Sequence, residues 1–240
     1  MRAAVLLLGA LALAGCAGGP APSPPLDFDP GEAQNREAHA LNKALDTAAF
    51  GPLARAYGAA APEPARNGIT NLVNHSRLPA ATLQYALQGR PDQSLAAAAR
   101  FVVNTAFGLG GLLDPAASMG LAYRETNVDE TLHVWGVPEG AYWELPFGGP
   151  GTERDWFGYA LDIAADPVTY VGGPVTSAIA ALRGVDLLHD RYKLDPALQA
   201  LLYDSADSYT AQRISYLQNM RARLQDGTEL ELLEDPYADF

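Results

Sequence analysis

Residues 100–121 read RFVVNTAFGLGGLLDPAASMGL. Between Arg100 and Asp114 stand thirteen uncharged residues, Phe101 to Leu113. A helix that crosses a bilayer needs about 20 apolar residues, so this run does not cross one. As a helix, at about 1.5 Å per residue, the run reaches roughly 20 Å, a little beyond the roughly 15 Å hydrocarbon depth of one leaflet. Gly108, Gly110 and Gly111 supply the material of a turn, and Asp114-Pro115 has the chemistry of an N-cap followed by a first helical position. The segment therefore reads as a helical hairpin. Two settings suit it: the core of a soluble domain, or one leaflet of a membrane.

Working outward from the hairpin, Pro91 opens the helix that leads into it, with Leu95, Ala98, Val102 and Thr105 at helical spacing. Asp29-Pro30 with Glu32 has the form of a capping box and opens a helix through about Asp46, whose apolar positions Ala38, Leu41 and Leu45 share a face. Pro64 opens another, with Ile69, Leu72 and Val73, and Pro79 a short one that ends at Gly89. Downstream, Asn127 with Glu130 caps a short helix that stops at Gly136. Thr152, Pro174 and Pro196 start three more, the last long, with Gly227 beyond its end. Only Val137 to Pro146, VPEGAYWELP, has the material of a strand. The pattern predicts an all-α single domain of short and medium helices. Prolines at helix starts and glycines at helix ends favour a bent, ring-like arrangement over a straight bundle.

The first sixteen residues concern the compartment. Arg2 is a minimal basic region, Ala3 to Ala14 is an apolar stretch too short to span, and Leu13-Ala14-Gly15-Cys16 places small residues before a cysteine. This is similar to a bacterial lipoprotein signal, with residues 1–15 removed and Cys16 lipidated. Cys16 is the only cysteine in 240 residues, so no disulfide framework exists and no second thiol is left for catalysis or metal. Ala17, in place of an aspartate, is similar to lipoproteins sent on to the outer membrane. The formal net charge is −12, and loss of Arg2 with the signal makes it more negative by one. No Lys/Arg-rich run is present, which argues against nucleic acid as a partner and against attraction to anionic head groups. Residues 16–28 form the lipid anchor and a Pro/Gly linker (GGPAPSPP from Gly18 to Pro25), expected to be extended and disordered. The helical domain is placed at 29–225, and residues 226–240 form an acidic, solvated tail.

Catalytic chemistry finds little support. Ala116-Ala117-Ser118-Met119-Gly120 falls one residue short of the G-x-S-x-G nucleophile elbow, with His133 and His189 downstream. An elbow needs a strand leading into the serine, whereas Ser118 is expected in the first turns of a helix. The histidines His39, His75, His133 and His189 are scattered, without the spacing of metal ligands. Asp162 and Asp166 stand four apart on an expected helix, as solvated carboxylates commonly do. The Gly-rich run at 108–111 lacks the lysine and the strand of a phosphate-binding loop. Tyr142, Trp143, Trp156 and Tyr159 suit either an interfacial aromatic belt or a core.

Taken together, the motifs resemble the MlaA (VacJ) outer-membrane lipoproteins from Asp29 to about Gln218. Asp29-Pro30, Glu32 and Asn35-Arg36 are similar to the family's opening D-P-x-E-x-x-N-R. Pro64-Ala65-Arg66-Asn67-Gly68-Ile69 with Asn71 follows its P-A-R-x-G-I-x-N. Arg100-Phe101, Asn104-Thr105, Gly108, Gly110-Gly111 and Asp114 match R-F-x-x-N-T-x-x-G-x-G-G-x-x-D, the most specific of these signals. Trp135-Gly136-Val137, Leu145-Pro146, Gly149-Pro150, Arg154-Asp155 and the series Ser205, Asp207, Tyr209, Arg213, Tyr216 and Gln218 follow in order. The chain departs from the family at Asn127 to Leu132, where D-F-G-x-T-L is usual, at His133, and at Ala33-Gln34.

The resemblance implies a ring-shaped helical lipoprotein in the inner leaflet of the outer membrane, at its periplasmic face. An amphipathic channel would return mislocalised phospholipid from the outer leaflet to a soluble periplasmic carrier, in complex with a trimeric porin. The hairpin would then be membrane-embedded, a second hold beside Cys16. Phe101, Val102, Phe107, Leu109, Leu112, Leu113, Trp135 and Trp143 are expected to touch lipid or line the channel. Asn104, Asp114, Arg154, Asp155, Asp207 and Arg213 are expected as polar structural or channel positions. The expected partners are thus phospholipid and the outer-membrane bilayer, with no cofactor, no metal and no catalytic residue. Two alternatives stand beside this reading: a structural tether of envelope or porin, and a lipolytic serine hydrolase using Ser118.

Overall fold

The computed structural model describes residues 21–225. Cys16 with its signal, and the acidic tail from residue 226, lie outside the described residues. The helices, in chain order, are α1 (Glu32–Leu45), α2 (Gly51–Ala60), α3 (Glu63–Leu87), α4 (Pro91–Phe107), α5 (Pro115–Ser118) and α6 (Val128–Val134). After a hairpin of β1 (Tyr142–Leu145) and β2 (Gly149–Thr152) come α7 (Glu153–Ala165), α8 (Pro167–Val171), α9 (Gly173–Lys193), α10 (Asp195–Leu198) and α11 (Ser208–Gln225). Single π-helical turns, Asp46–Phe50 and Gln199–Tyr203, join α1 to α2 and follow α10.

Four expectations about elements need correction. The fold is not wholly α: a second strand, Gly-Pro-Gly-Thr, pairs antiparallel with the first, Tyr142 opposite Thr152 and Leu145 opposite Gly149. Pro79 does not open a helix but lies inside the 25-residue α3. Leu78, Ala81 and Tyr85, on both sides of it, bury together against Ala97 of α4, and that burial offsets the roughly 3 kcal/mol of an interior proline. The long helix expected from Pro196 is broken at 204–207, because the Asp207 carboxylate accepts the Thr210 N–H at 3.1 Å and starts α11 afresh. Asp29 does not cap α1 through its side chain. It accepts instead from Asn35 at 2.9 Å and from the Tyr209 hydroxyl.

Packing runs in a closed circuit. β1 lies against α1, which leads through its π turn to α2; α2 packs on α9, α9 on α3, α3 on α6, α6 on α7, and α7 returns through β2 to β1. The seams of this circuit are largely polar. At the α1–β1 seam, Asn35, fully buried, donates to the Tyr142 carbonyl at 3.1 Å and accepts from the Glu144 N–H at 2.9 Å. Thr70 donates to Asp186 between α3 and α9 at 2.5 Å, and Thr131 to Gln84 between α6 and α3 at 2.6 Å. Arg154 of α7 meets Asp129 of α6 at 2.6 Å, and Arg191 of α9 grips Asp46 with two bonds of 2.7 and 2.8 Å. Close backbone approach joins α2 to α9, where a Cβ at Gly58 would enter the Tyr192 ring.

The buried apolar side chains that pack on one another do so in two small clusters, while Val73, Leu132 and Leu202 are buried outside them. One gathers Tyr142, Tyr209, Leu217, Met220 and Leu224 under α11, with Leu26 and Tyr216 packed on it; the other is the α3–α4 cluster of Leu78, Ala81, Tyr85 and Ala97. The first cluster also bears on two expectations. Of its two expected settings, Tyr142 takes the core. The linker is tied down at its described end, where Leu26 packs on the cluster and the Pro24 carbonyl accepts from Arg221 at 2.8 Å.

Candidate functional site

The hairpin is built from the polar face of α4. Arg100 and Asn104, four residues apart, are both buried. Past Phe107 the chain folds back on itself: the N–H groups of Gly108 and Gly111 both donate to the Asn104 carbonyl, at 3.1 and 3.0 Å, and Leu113 donates to the Gly108 carbonyl at 2.9 Å. Asp114 then caps α5 by accepting the Ala117 N–H. The same carboxylate accepts from Arg100 at 2.7 Å and from Asn104 at 2.8 Å, while the Asn104 side-chain oxygen accepts from Ala116 N at 3.1 Å. Arg100 also donates to the Leu121 carbonyl. Burial works against the charge on Asp114, but the bonds from Asn104 and Arg100 outweigh it and hold the carboxyl below the usual range. These three side chains form a clasp that shuts both arms of the hairpin at its base.

α3 fixes the loop from one side. Asn71 donates to the Leu112 carbonyl at 3.1 Å, and the His75 ring stacks on Phe101 at 4.8 Å with an interplanar angle of 8°. Burial lowers the pKa of His75. Gly111 has φ +96°, and a Cβ there would fall inside the His75 side chain, so only glycine fits.

With its polar groups turned to the base, the hairpin turns its apolar groups out. Phe107 is 76 % exposed, Leu109 73 % and Val102 63 %, and Leu113, Leu112 and Phe101 are exposed as well. Met119, one turn beyond, adds to them. Each apolar side chain taken fully out of water is worth about 1.5–3 kcal/mol, so six such side chains at one tip amount to several kcal/mol for entry into an apolar phase. No helix among the described residues is long and apolar enough to cross a membrane.

Of the expected site residues, the structure brings together Phe101, Val102, Phe107, Leu109, Leu112 and Leu113, with Asn104 and Asp114 beneath them. Trp135 and Trp143 are elsewhere, half-buried in seams of the circuit: Trp135 donates to the Leu87 carbonyl at 3.0 Å, and Trp143 lies over Gly31 and donates to Glu153 at 3.4 Å. Arg154, besides its Asp129 bond, donates to the Val137 carbonyl at 3.2 Å. Asp155 completes a capping box with Thr152 and accepts from the Tyr216 hydroxyl at 2.7 Å. Arg213 is buried 3.6 Å from Asp29, and Asp207 sits on the surface, gripped by Arg36 at 2.9 and 3.0 Å. Asp155, Arg213 and Asp207 tie α11 and its start to the end of the β-hairpin, to Asp29 and to α1, while Arg154 ties α7 to α6.

Ser118 is exposed on a one-turn helix that follows a loop and not a strand. No group of three or more His, Cys, Asp or Glu side chains among the described residues is arranged to hold a metal. Sequence reasoning missed Phe147, which is 83 % exposed at the tip of the β-hairpin with φ +63°. Asn42 pins that turn from α1, donating to the Leu145 carbonyl at 3.0 Å and accepting from Phe147 N at 2.8 Å. The Pro146-Phe147-Gly148 sequence directly after the one strand-forming segment was the available signal.

Comparison with known proteins places this arrangement. The chain matches the family model described as MlaA lipoprotein over residues 27–223. It is 32 % identical to the Shigella flexneri protein named intermembrane phospholipid transport system lipoprotein MlaA, over 99 % of this chain and 94 % of that one. The Haemophilus influenzae protein of the same name is 30 % identical over 95 % of this chain and 92 % of its own. A solved structure described as "Structural basis for maintenance of bacterial outer membrane lipid asymmetry" superposes with TM-score 0.73 at 32 % identity, covering 82 % of this chain and 99 % of that one.

Proposed function

Since this chain belongs to the MlaA lipoprotein family, we propose that it removes mislocalised phospholipid from the outer leaflet of the outer membrane and passes it to a soluble periplasmic carrier. The lipid moves through an amphipathic channel bounded by the circuit of helices. The protein sits at the periplasmic face of that membrane, beside a trimeric porin, held by the lipid on Cys16 and by the hairpin of Phe101 to Leu113 entering one leaflet. Two holds are what stable membrane attachment takes.

The observation that carries this reading is an inversion of the usual inside and outside. Among the described residues, 17 polar or charged residues are buried against 16 hydrophobic ones, and 25 large hydrophobics are exposed. Soluble monomers seldom expose apolar side chains in contiguous stretches such as the hairpin tip, and such stretches mark contact with membrane, ligand or protein. A lipid in passage asks for apolar walls along its chains and polar groups at its head, with no covalent step.

The test is outer-leaflet phospholipid in cells lacking the protein, read with an outer-membrane enzyme that modifies only exposed lipid. Exposed phospholipid should rise without the protein, fall again with the wild-type or Ser118→Ala chain, and stay high with Cys16→Ala. No rise on deletion would remove the proposal, and failure of Ser118→Ala to rescue would turn it toward hydrolysis.

A further inference from the structure

Between α3, α7 and α9 lies a cavity of about 360 Å³, away from the hairpin. We propose that it binds the head of a zwitterionic phospholipid, the phosphodiester on Arg77 and Arg183 and the ammonium on Asp162. The inference rests on the lipid-handling reading above and adds to it a place and a head-group class.

Arg183 of α9 gives one terminal nitrogen to Asp166 and the other to Ser76 at 3.3 Å, and its Nε is buried without a partner. Arg77, facing it from α3, spends one nitrogen on Glu125 at 3.0 Å and is partly exposed. Two guanidinium groups converging on one cavity from different helices are suited to the oxygens of a phosphodiester, which accepts charge-assisted bonds from planar N–H donors. Three acids share this lining: Glu125 and Asp166 are engaged by the two arginines, and Asp162 is held by a backbone N–H instead. Asp162 accepts the Val128 N–H on both oxygens, at 3.3 and 3.2 Å, and burial pushes its carboxyl up to about 6. A carboxylate whose charge burial disfavours is one that an arriving ammonium stabilises.

Size points the same way. At ~30 Å³ per water, the cavity holds about a dozen waters, room for a head group but not for two acyl chains. Tyr159, Ile163 and Leu187, exposed by 58, 53 and 59 %, continue its wall outward as apolar surface where the chains would begin.

The experiment is equilibrium binding of tail-labelled phosphatidylethanolamine to the full-length mature protein in detergent. Displacement is then measured with unlabelled phosphatidylethanolamine, with diacylglycerol of the same chains, and with soluble glycerophosphoethanolamine. The expected result is that Arg77→Gln and Arg183→Gln each weaken phosphatidylethanolamine by about tenfold while leaving diacylglycerol unchanged. Arg77→Gln removes a partly exposed side chain with one surface ion pair, so it is the variant that folds as wild type does. Wild-type affinity in both variants would overturn the site and leave lipid transport standing. Displacement by glycerophosphoethanolamine as effective as by the whole lipid would overturn the lipid as its ligand. If the wild type bound neither phosphatidylethanolamine nor diacylglycerol, the lipid-handling reading would fail, and this inference with it.

Discussion

Leu109 and Phe147 both hold backbone conformations that L-residues with side chains avoid, φ +54° and +63°, and both present that side chain to the outside. A glycine would remove the steric cost at either turn, so a large apolar group kept there marks a place where the side chain itself is used. Leu109→Gly should therefore stabilise the fold by about 1 kcal/mol, seen as a melting temperature higher by about 2–4 °C, and yet impair lipid removal. A melting temperature that falls would show that the leucine is there for packing. Asp162 offers a second test at this scale. Burial raises its carboxyl from 3.8 to about 6, so the stability it allows is complete below about pH 4 and is lost as pH rises through 6. Asp162→Asn should melt with wild type at pH 4 and above it at pH 7; coincident melting curves at both would mean that the carboxyl is not shifted.

Among the elements, the clasp at the base of the hairpin is the unit whose loss is most easily read. Asp114→Ala removes the cap of α5 and leaves the Arg100 guanidinium buried without its carboxylate. It should cost about 2–3 kcal/mol and lower the melting temperature by about 5–10 °C, with protease cutting first near residues 108–113. A melting curve like that of wild type would show that the clasp does not hold the hairpin. This element was legible because its signals are local: a glycine turn, Asp114 before Pro115, and Asn104 four residues after Arg100. The starts of α4, α6 and α9 were legible for the same reason. β2 was not, since Gly-Pro-Gly-Thr has no alternation; its Gly151, with Gly148 just before the strand, makes room for the Trp156 ring. The inner face of α1 was not legible. Ala38, Leu41 and Leu45 have helical spacing, but Asn35, His39 and Asn42 share a polar face that bonds to Tyr142, Glu144 and Leu145 about a hundred residues away, and Leu41 is left exposed. Nothing near α1 in the chain announces those partners.

For the whole molecule the same difficulty is general. Arg100, Arg154, Arg191 and Arg213 are buried, facing Asp114, Asp129, Asp46 and Asp29. Two of these four pairs, Arg191 with Asp46 and Arg213 with Asp29, tie elements that are far apart in the chain. Ion pairs of this kind contribute less to stability than to deciding which elements meet, so a fold joined by them shows few apolar stripes to a reader of periodicity. What composition and punctuation conveyed was a helical domain and an apolar hairpin too short to cross a membrane; the order of the circuit lies in pairings that no local pattern records. The proposed function depends most on the hairpin as a lipid-facing part. The most direct measurement is outer-leaflet phospholipid in cells whose only copy of this protein carries Leu109→Asp, with its amount and membrane attachment checked against wild type. The variant should be made and anchored as usual while exposed phospholipid rises to the level of the deletion. Wild-type clearance by that variant would contradict the proposed function.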